Sequence, residues 1–167
     1  MRYYDTNIRN FKIRETSEED IPLILSLIKE IAEYEKMSDE VIATEETLKN
    51  SIFENNRAEV VILELDEKPI GYALYFYNFS TFIGRSGLYL EDIFIKKEFR
   101  GNGFGKEVFK FLGKKAREEG CKRMEWTCLN WNEPSIRFYK SLGAVPMDEW
   151  TVYRLKEKEI LNLSKMK

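Results

Sequence analysis

Apolar and polar residues alternate along Phe11-Lys12-Ile13-Arg14, the period of a short strand. The period then lengthens. Ile21, Ile24, Leu25, Ile28, Ile31 and Ala32 recur at helical spacing to about Glu35. Thr16 or Ser17 is placed to cap that helix, with Asp20 as a capping-box partner and Pro22 in its first turn. Thr44 caps a second, short helix that runs to about Glu54. Glu59 to Leu65 reads as a strand, Asp66-Glu67-Lys68-Pro69 as a turn and Ile70 to Tyr77 as the returning strand of a hairpin. Gly84-Arg85-Ser86-Gly87 turns the chain again, into a third long strand from Leu88 to Ile95. Past a loop at Gly101 to Gly105, Phe104, Val108, Phe111, Leu112 and Ala116 share one helical face, and Gly120 stands at the C-cap. Met124 to Leu129 predicts a strand. Asn132 caps a short helix with Pro134 in its first turn and Gly143 at its end. Val145 to Leu155 predicts one or two last strands, and a charged helix closes the chain. This order predicts an α/β (α+β) fold, a mixed and mostly antiparallel sheet with helices on its faces.

Length and composition narrow the possibilities. The 167 residues suit one domain, and 43% hydrophobic residues can build its core without disulfides or metal. No apolar run is long enough for a membrane span, and the first residues lack an apolar signal core, so cytoplasm is the expected location. Cys121 and Cys128 are expected to be buried free thiols. If they share a strand, their odd offset puts them on opposite faces, against pairing. The chain has no histidine. Histidine bases and histidine-ligated zinc are therefore excluded, and any proton transfer falls to Glu, Asp, Tyr, Cys, Lys or water.

The net charge is only −2, but the charges are segregated. Glu30, Glu33, Glu35, Asp39, Glu40, Glu45 and Glu46 face Lys36 alone in one stretch. Lys96 to Arg123 carries ten basic residues against Glu98, Glu107, Glu118 and Glu119. One pole suits a cation and the other an anion; the plainer reading is two solvated helix faces.

The stretch from Leu88 to Gly105 joins a strand to a helix through Arg100-Gly101-Asn102-Gly103-Phe104-Gly105. Free backbone N–H groups there can bind phosphate oxygens, and glycine lets the ligand approach closely. The dinucleotide pattern G-x-G-x-x-G fails, because Lys106 or Val108 stands where its third glycine belongs. The P-loop fails too, with Arg100 at its first glycine and Glu107 after Lys106.

Arg100 to Gly105 instead resembles the acyl-CoA pyrophosphate loop of the GNAT N-acetyltransferases, [Q/R]-x-x-G-x-[G/A]. Asn130 to Ala144 is similar to that family's second signature, with Ser135 and Tyr139 on one helical face. Within the family, Ile28 to Met37, Tyr89-Leu90-Glu91-Asp92 and Trp131 to Ser135 resemble the spermidine/spermine (diamine) N-acetyltransferases over about residues 11 to 160. Two departures stand out: an N-terminal extension, residues 1 to 10, and Phe82 where the animal polyamine enzymes carry tryptophan. Related enzymes acetylate thialysine and similar amino acids.

The resemblance implies a GNAT fold with helices on both faces of the sheet, acetyl-CoA as cosubstrate, no metal, a small amine acceptor and a homodimer with the last strands near the partner. It implies that Ile93, Phe94, Ile95, Arg100, Gly101, Asn102, Gly103, Phe104, Gly105, Lys106, Asn132, Ser135 and Tyr139 bind the acyl-CoA. It implies that Tyr34, Glu35, Glu91 and Asp92 bind the amine, although Asp92, one residue along the strand, also suits a structural part. A primary ammonium near pKa 10.4 is only about one part in 2,500 free amine at pH 7, a deficit of roughly 4.6 kcal/mol. A base is needed, and Glu91 is the candidate, directly or through water. Tyr139 is the candidate acid for the departing thiolate. A covalent intermediate on Cys128 lacks an activating partner.

Other readings are a GNAT enzyme for thialysine-like amino acids, an aminoglycoside or a protein N-terminus, and a GNAT fold kept as a regulatory module. An RNA-binding module is disfavoured: the glycine string only partly imitates an RNP1 motif, and it opens a helix instead of lying in a strand.

Overall fold

The computed structural model describes residues 1–166. Residues Met1–Thr127 form one compact unit, and a second begins at Cys128.

The first unit is a six-stranded sheet in chain order: β1 (Tyr3–Asp5), β2 (Phe11–Glu15), β3 (Glu59–Leu65), β4 (Lys68–Ser80), β5 (Arg85–Ile95) and β6 (Met124–Trp126). Neighbours pair antiparallel except β5 and β6, which are parallel. β1 lies in the stretch expected only as an extension; it gains strand structure by pairing, Tyr3 with Arg14 and Asp5 with Lys12. β4 and β5 are longer than expected, since the turn between them contracts to Thr81–Gly84.

Helices cover both faces. α1 (Ile21–Tyr34) buries Ile24 and Leu27 against Val60, Ile62, Tyr72 and Phe94. On the opposite face α3 (Phe104–Glu118) brings Phe104 within 4.5 Å of the Phe11 ring, and Phe111 within 4.8 Å of Tyr4 and 6.5 Å of Tyr75. Thr44 caps α2 (Glu45–Leu48) by accepting the Thr47 N–H, and a π-helical turn, Lys49–Glu54, continues it.

The start of α1 is tied to the sheet by charge. Arg14 is 6% exposed, although it stands in the polar phase of β2. Its guanidinium donates to both Asp20 oxygens at 2.9 and 2.8 Å, and its Nε donates to Glu64 Oε1 at 2.6 Å. This pairing holds the Asp20 carboxyl below its usual range. Asp20 also accepts the Ser17 N–H, so one carboxylate anchors the turn that opens the helix. Removing one member of such a buried set typically costs about 3–5 kcal/mol. That fixed start determines where the far end of α1 lies.

The second unit carries α4 (Glu133–Ser141) and α5 (Glu157–Ser164). The strands expected between Val145 and Leu155 are not formed among the described residues. That run instead makes a turn, in which Trp150 N–H donates to the Met147 carbonyl at 3.1 Å. Strand propensity needs a hydrogen-bonding neighbour, and none pairs there. Likewise β6 stops at Trp126 instead of reaching Leu129. Cys121 and Cys128 are only half-buried, not buried, and both lie outside β6.

Candidate active site

The register of β4 against β5 contains an irregularity at the position of interest. Leu74 pairs with Asp92, but Tyr75 pairs with Leu90, so the register shifts by one residue at Glu91. That is a β-bulge, which bends a strand and re-aims its side chains. Glu91 is exposed, whereas Asp92 turns inward and accepts the hydroxyl hydrogen of buried Tyr72 at 2.7 Å.

The C-terminal end of α1 supplies the next groups. Glu35 is the C-cap of α1. Burial and then the Asp92 charge raise its carboxyl above the ordinary range. Burial likewise raises Asp92, against the Tyr72 hydrogen bond, which acts to lower it. Tyr72 is pushed well up by burial first, with Asp92, Glu35 and Glu91 all adding to the shift. The charges of three carboxylates thus bear on one buried phenol, and Asp92 touches it.

Next to this locus β5 has an open side. β6 pairs only with Leu88 to Leu90. Past Leu90, no strand among the described residues pairs with β5 on that side, while β4 holds the other through Ala73–Ile93, Tyr72–Phe94 and Gly71–Ile95. An open edge of this kind can bond an extended, amide-bearing ligand.

The edge leads to the glycine loop. Gly101 and Gly103 both have positive φ, 81° and 83°. Gly103 is the N-cap of α3, so the N–H groups of the following turn point out along the axis. Asn102 Nδ2 braces the loop by donating to the Phe99 and Arg100 carbonyls at 3.0 and 3.2 Å. Arg100 faces away from the loop: its Nε donates to the Ile95 carbonyl at 2.7 Å and its guanidinium lies 4.2 Å over the Tyr34 ring. It therefore joins the end of α1, the end of β5 and the loop in one contact, which the motif alone did not reveal. Lys106 is exposed on the first turn of α3.

The structure thus gathers Tyr34, Glu35, Glu91, Asp92, Ile93 to Ile95 and Arg100 to Lys106 within the first unit. Asn132, Ser135 and Tyr139 belong to the second. There Asn132 Oδ1 caps α4 by accepting the Ser135 N–H at 3.4 Å, and Tyr139, half-buried, sits one turn further along the helix.

A strand with a bulge, a one-sided edge and a glycine loop opening a helix is the frame of an acyl-CoA acyltransferase. Among solved structures, an integron cassette protein from the V. cholerae mobile metagenome superposes with a TM-score of 0.79 at 26% identity, covering 95% of this chain and all of that one. The chain belongs to the acetyltransferase (GNAT) family, whose model matches residues 23–144. It is 37% identical to a thialysine N-epsilon-acetyltransferase of Bos taurus, over 91% of this chain and 96% of that one. It is 31% identical to a human spermidine/spermine N(1)-acetyltransferase-like protein 1, over 95% of this chain and 24% of that one.

Proposed function

We propose that this GNAT enzyme moves an acetyl group from acetyl-CoA to a primary amine of a small cationic acceptor, a polyamine or diamine, by direct attack in a ternary complex. The observation that carries this reading is the acidic locus formed by Glu35 at the end of α1 and Asp92 on β5, where the Asp92 charge is felt at Glu35. Burial raises both carboxyls, and the Asp92 charge adds to the shift at Glu35, so an ammonium arriving beside them favours their charged forms. Glu91, projected by the bulge, is the base that removes the ammonium proton directly or through water. When bound, acetyl-CoA supplies the activated acyl group. The backbone N–H groups of Ile93 to Ile95 hold its acyl oxygen and pantetheine arm, and the loop from Arg100 to Lys106 takes its pyrophosphate. Asn132 and Ser135 complete that binding set. Tyr139 returns a proton to the thiolate. Cytoplasmic location and a homodimer form part of the same proposal. The exposed apolar run Val145, Met147, Trp150, Val152, Tyr153 and Leu155 supports assembly with a second copy.

A second reading takes thialysine as the acceptor, favoured by the cattle relative. Thialysine also presents a primary amine, but it brings a carboxylate into an acidic locus. Initial rates with spermidine, diamines, thialysine and lysine at fixed acetyl-CoA decide between them. Preference for spermidine is expected; preference for thialysine overturns the polyamine assignment and leaves acetyl transfer in place.

A further inference from the structure

The N-terminal arm, set apart in sequence from the polyamine enzymes, lies against the helix that opens at the glycine loop. Its course is fixed by its own hydrogen bonds. Thr6 Oγ1 donates to the Phe11 carbonyl at 2.7 Å and accepts the Ile8 N–H at 3.2 Å, and the Phe11 N–H donates to the Ile8 carbonyl at 3.1 Å. β1 pairs the arm to the sheet edge.

Two contacts then reach α3. The Asn7 N–H donates to Glu107 Oε2 at 3.1 Å. Glu107 is 8% exposed and also accepts Lys110 Nζ at 2.6 Å. Lys110 and Asn7 together hold its carboxyl below the ordinary range. Ile8 flanks the exposed Gly103: a Cβ at that glycine would lie 3.6 Å from Ile8 Cδ1. Gly103 is the left-handed residue at which loop becomes helix, and Glu107 follows in the first turn.

We propose that residues 6–8 position the first turn of α3 for an anionic ligand, with Ile8 seating Gly103 and the Asn7 N–H holding Glu107. The proposal rests on the reading of Gly101 to Gly105 as the acyl-CoA pyrophosphate site. Glycine has the widest backbone freedom of any residue, so an unsupported Gly103 must be ordered when the ligand binds. A contact that orders it beforehand removes that penalty from the affinity. Glu107 has a second part. A loose carboxylate one turn from a pyrophosphate would repel it; tied to Asn7 and Lys110, its charge is compensated and directed to the arm. Ile8, Asn7 and Glu107 are positioning residues here, acting on the ligand only through the turn.

The test uses the full chain with two acyl donors: acetyl-CoA, and S-acetylpantetheine, which lacks the pyrophosphate. Glu107→Ala should raise the KM for acetyl-CoA and the Kd for CoA about tenfold, and Ile8→Ala about threefold. KM for S-acetylpantetheine and for the amine should stay at wild-type values in both. Glu107→Gln still accepts the Asn7 N–H and should remain within about twofold of wild type. Thermal melts establish that each variant is folded; Ile8→Ala carries the test if Glu107→Ala is not. Equal losses with the two donors would mean general loosening and overturn the proposal. So would wild-type CoA affinity in folded Ile8→Ala, or a Glu107→Gln defect as large as that of Glu107→Ala. Gly103→Glu separates this from the reading beneath it. If that variant folds and binds CoA normally, the loop is not the pyrophosphate site and the positioning proposal falls with it. If it loses CoA while Ile8→Ala and Glu107→Ala do not, only the arm's role is wrong.

Discussion

At Asp92 the fold works against ionisation. Burial raises its carboxyl, and the Tyr72 hydroxyl only partly offsets this. The folded protein therefore holds more protons there than the unfolded chain over the interval from the ordinary carboxylate pKa up to the raised one. Stability falls as pH rises through that interval and then stays reduced above it. Asp92→Asn keeps an acceptor for Tyr72 and removes the buried charge. It should raise Tm at pH 7 to 8, by about 2–4 °C per kcal/mol relieved, while kcat/KM for a cationic acceptor drops. Differential scanning calorimetry beside initial rates checks both; a lower Tm would show that the carboxylate stabilises the fold. Glu35 shifts in the same direction. In the wild type, the acid limb of kcat/KM for the amine should accordingly lie above the ordinary carboxylate range. In the second unit, Tyr139→Phe should lower kcat by about 10²–10⁴-fold with little change in the KM for acetyl-CoA. Wild-type turnover in that variant would assign the thiolate's proton to solvent.

Among the elements, the β4–β5 ladder has least tolerance beside the site. A Cβ on Gly71 would collide with the Phe94 carbonyl oxygen, which is backbone and cannot swing aside. Gly71→Ala should cost about 1–3 kcal/mol or more and weaken acetyl-CoA binding, since Phe94 and Ile95 lie across from it. Urea melts and CoA calorimetry measure the two effects; a neutral variant would show that the ladder gives way easily. Local signals in the chain, namely caps, glycines and apolar periods, disclosed α1, α3, α4, β3 and the glycine loop, because each is fixed by residues within a few positions. What stayed hidden depends on distant partners. Three residues of β1 become a strand only opposite β2. Arg14 stands in an outward phase yet is buried, because Asp20 and Glu64 meet it from two other segments. Strict alternation sets Glu91 and Asp92 on opposite faces, but the bulge is a property of the pairing with β4. Arg100 was legible as a motif position and not as the clasp on Tyr34.

Over the whole molecule, the segregated charges meet at Lys96, whose Nζ in the basic stretch lies 3.2 Å from Glu30 Oε1 of the acidic one. The remaining acidic charge is free to act at a distance on an approaching polycation. kcat/KM for spermidine should fall with added salt more steeply than for a monoamine, because screening over about 10 Å at 0.1 M weakens the pull on every ammonium the acceptor carries. Stopped-flow or initial-rate series in NaCl test this, and a flat spermidine series would remove steering from the account.

The open side of β5 has a consequence outside catalysis. An open strand edge that could take an extended ligand could equally take a stray strand, including one from a neighbouring molecule emerging half-folded. Here that edge is bracketed by Glu91 and Asp92 at one end and by Lys96 and Lys97 at the other. A hydrophobic strand laid along it would meet the exposed Glu91 and Lys97 at its two ends, whereas a slender chain with two amides and few side groups meets no such obstacle. Charges flanking this edge would then also keep it from pairing with a stray strand.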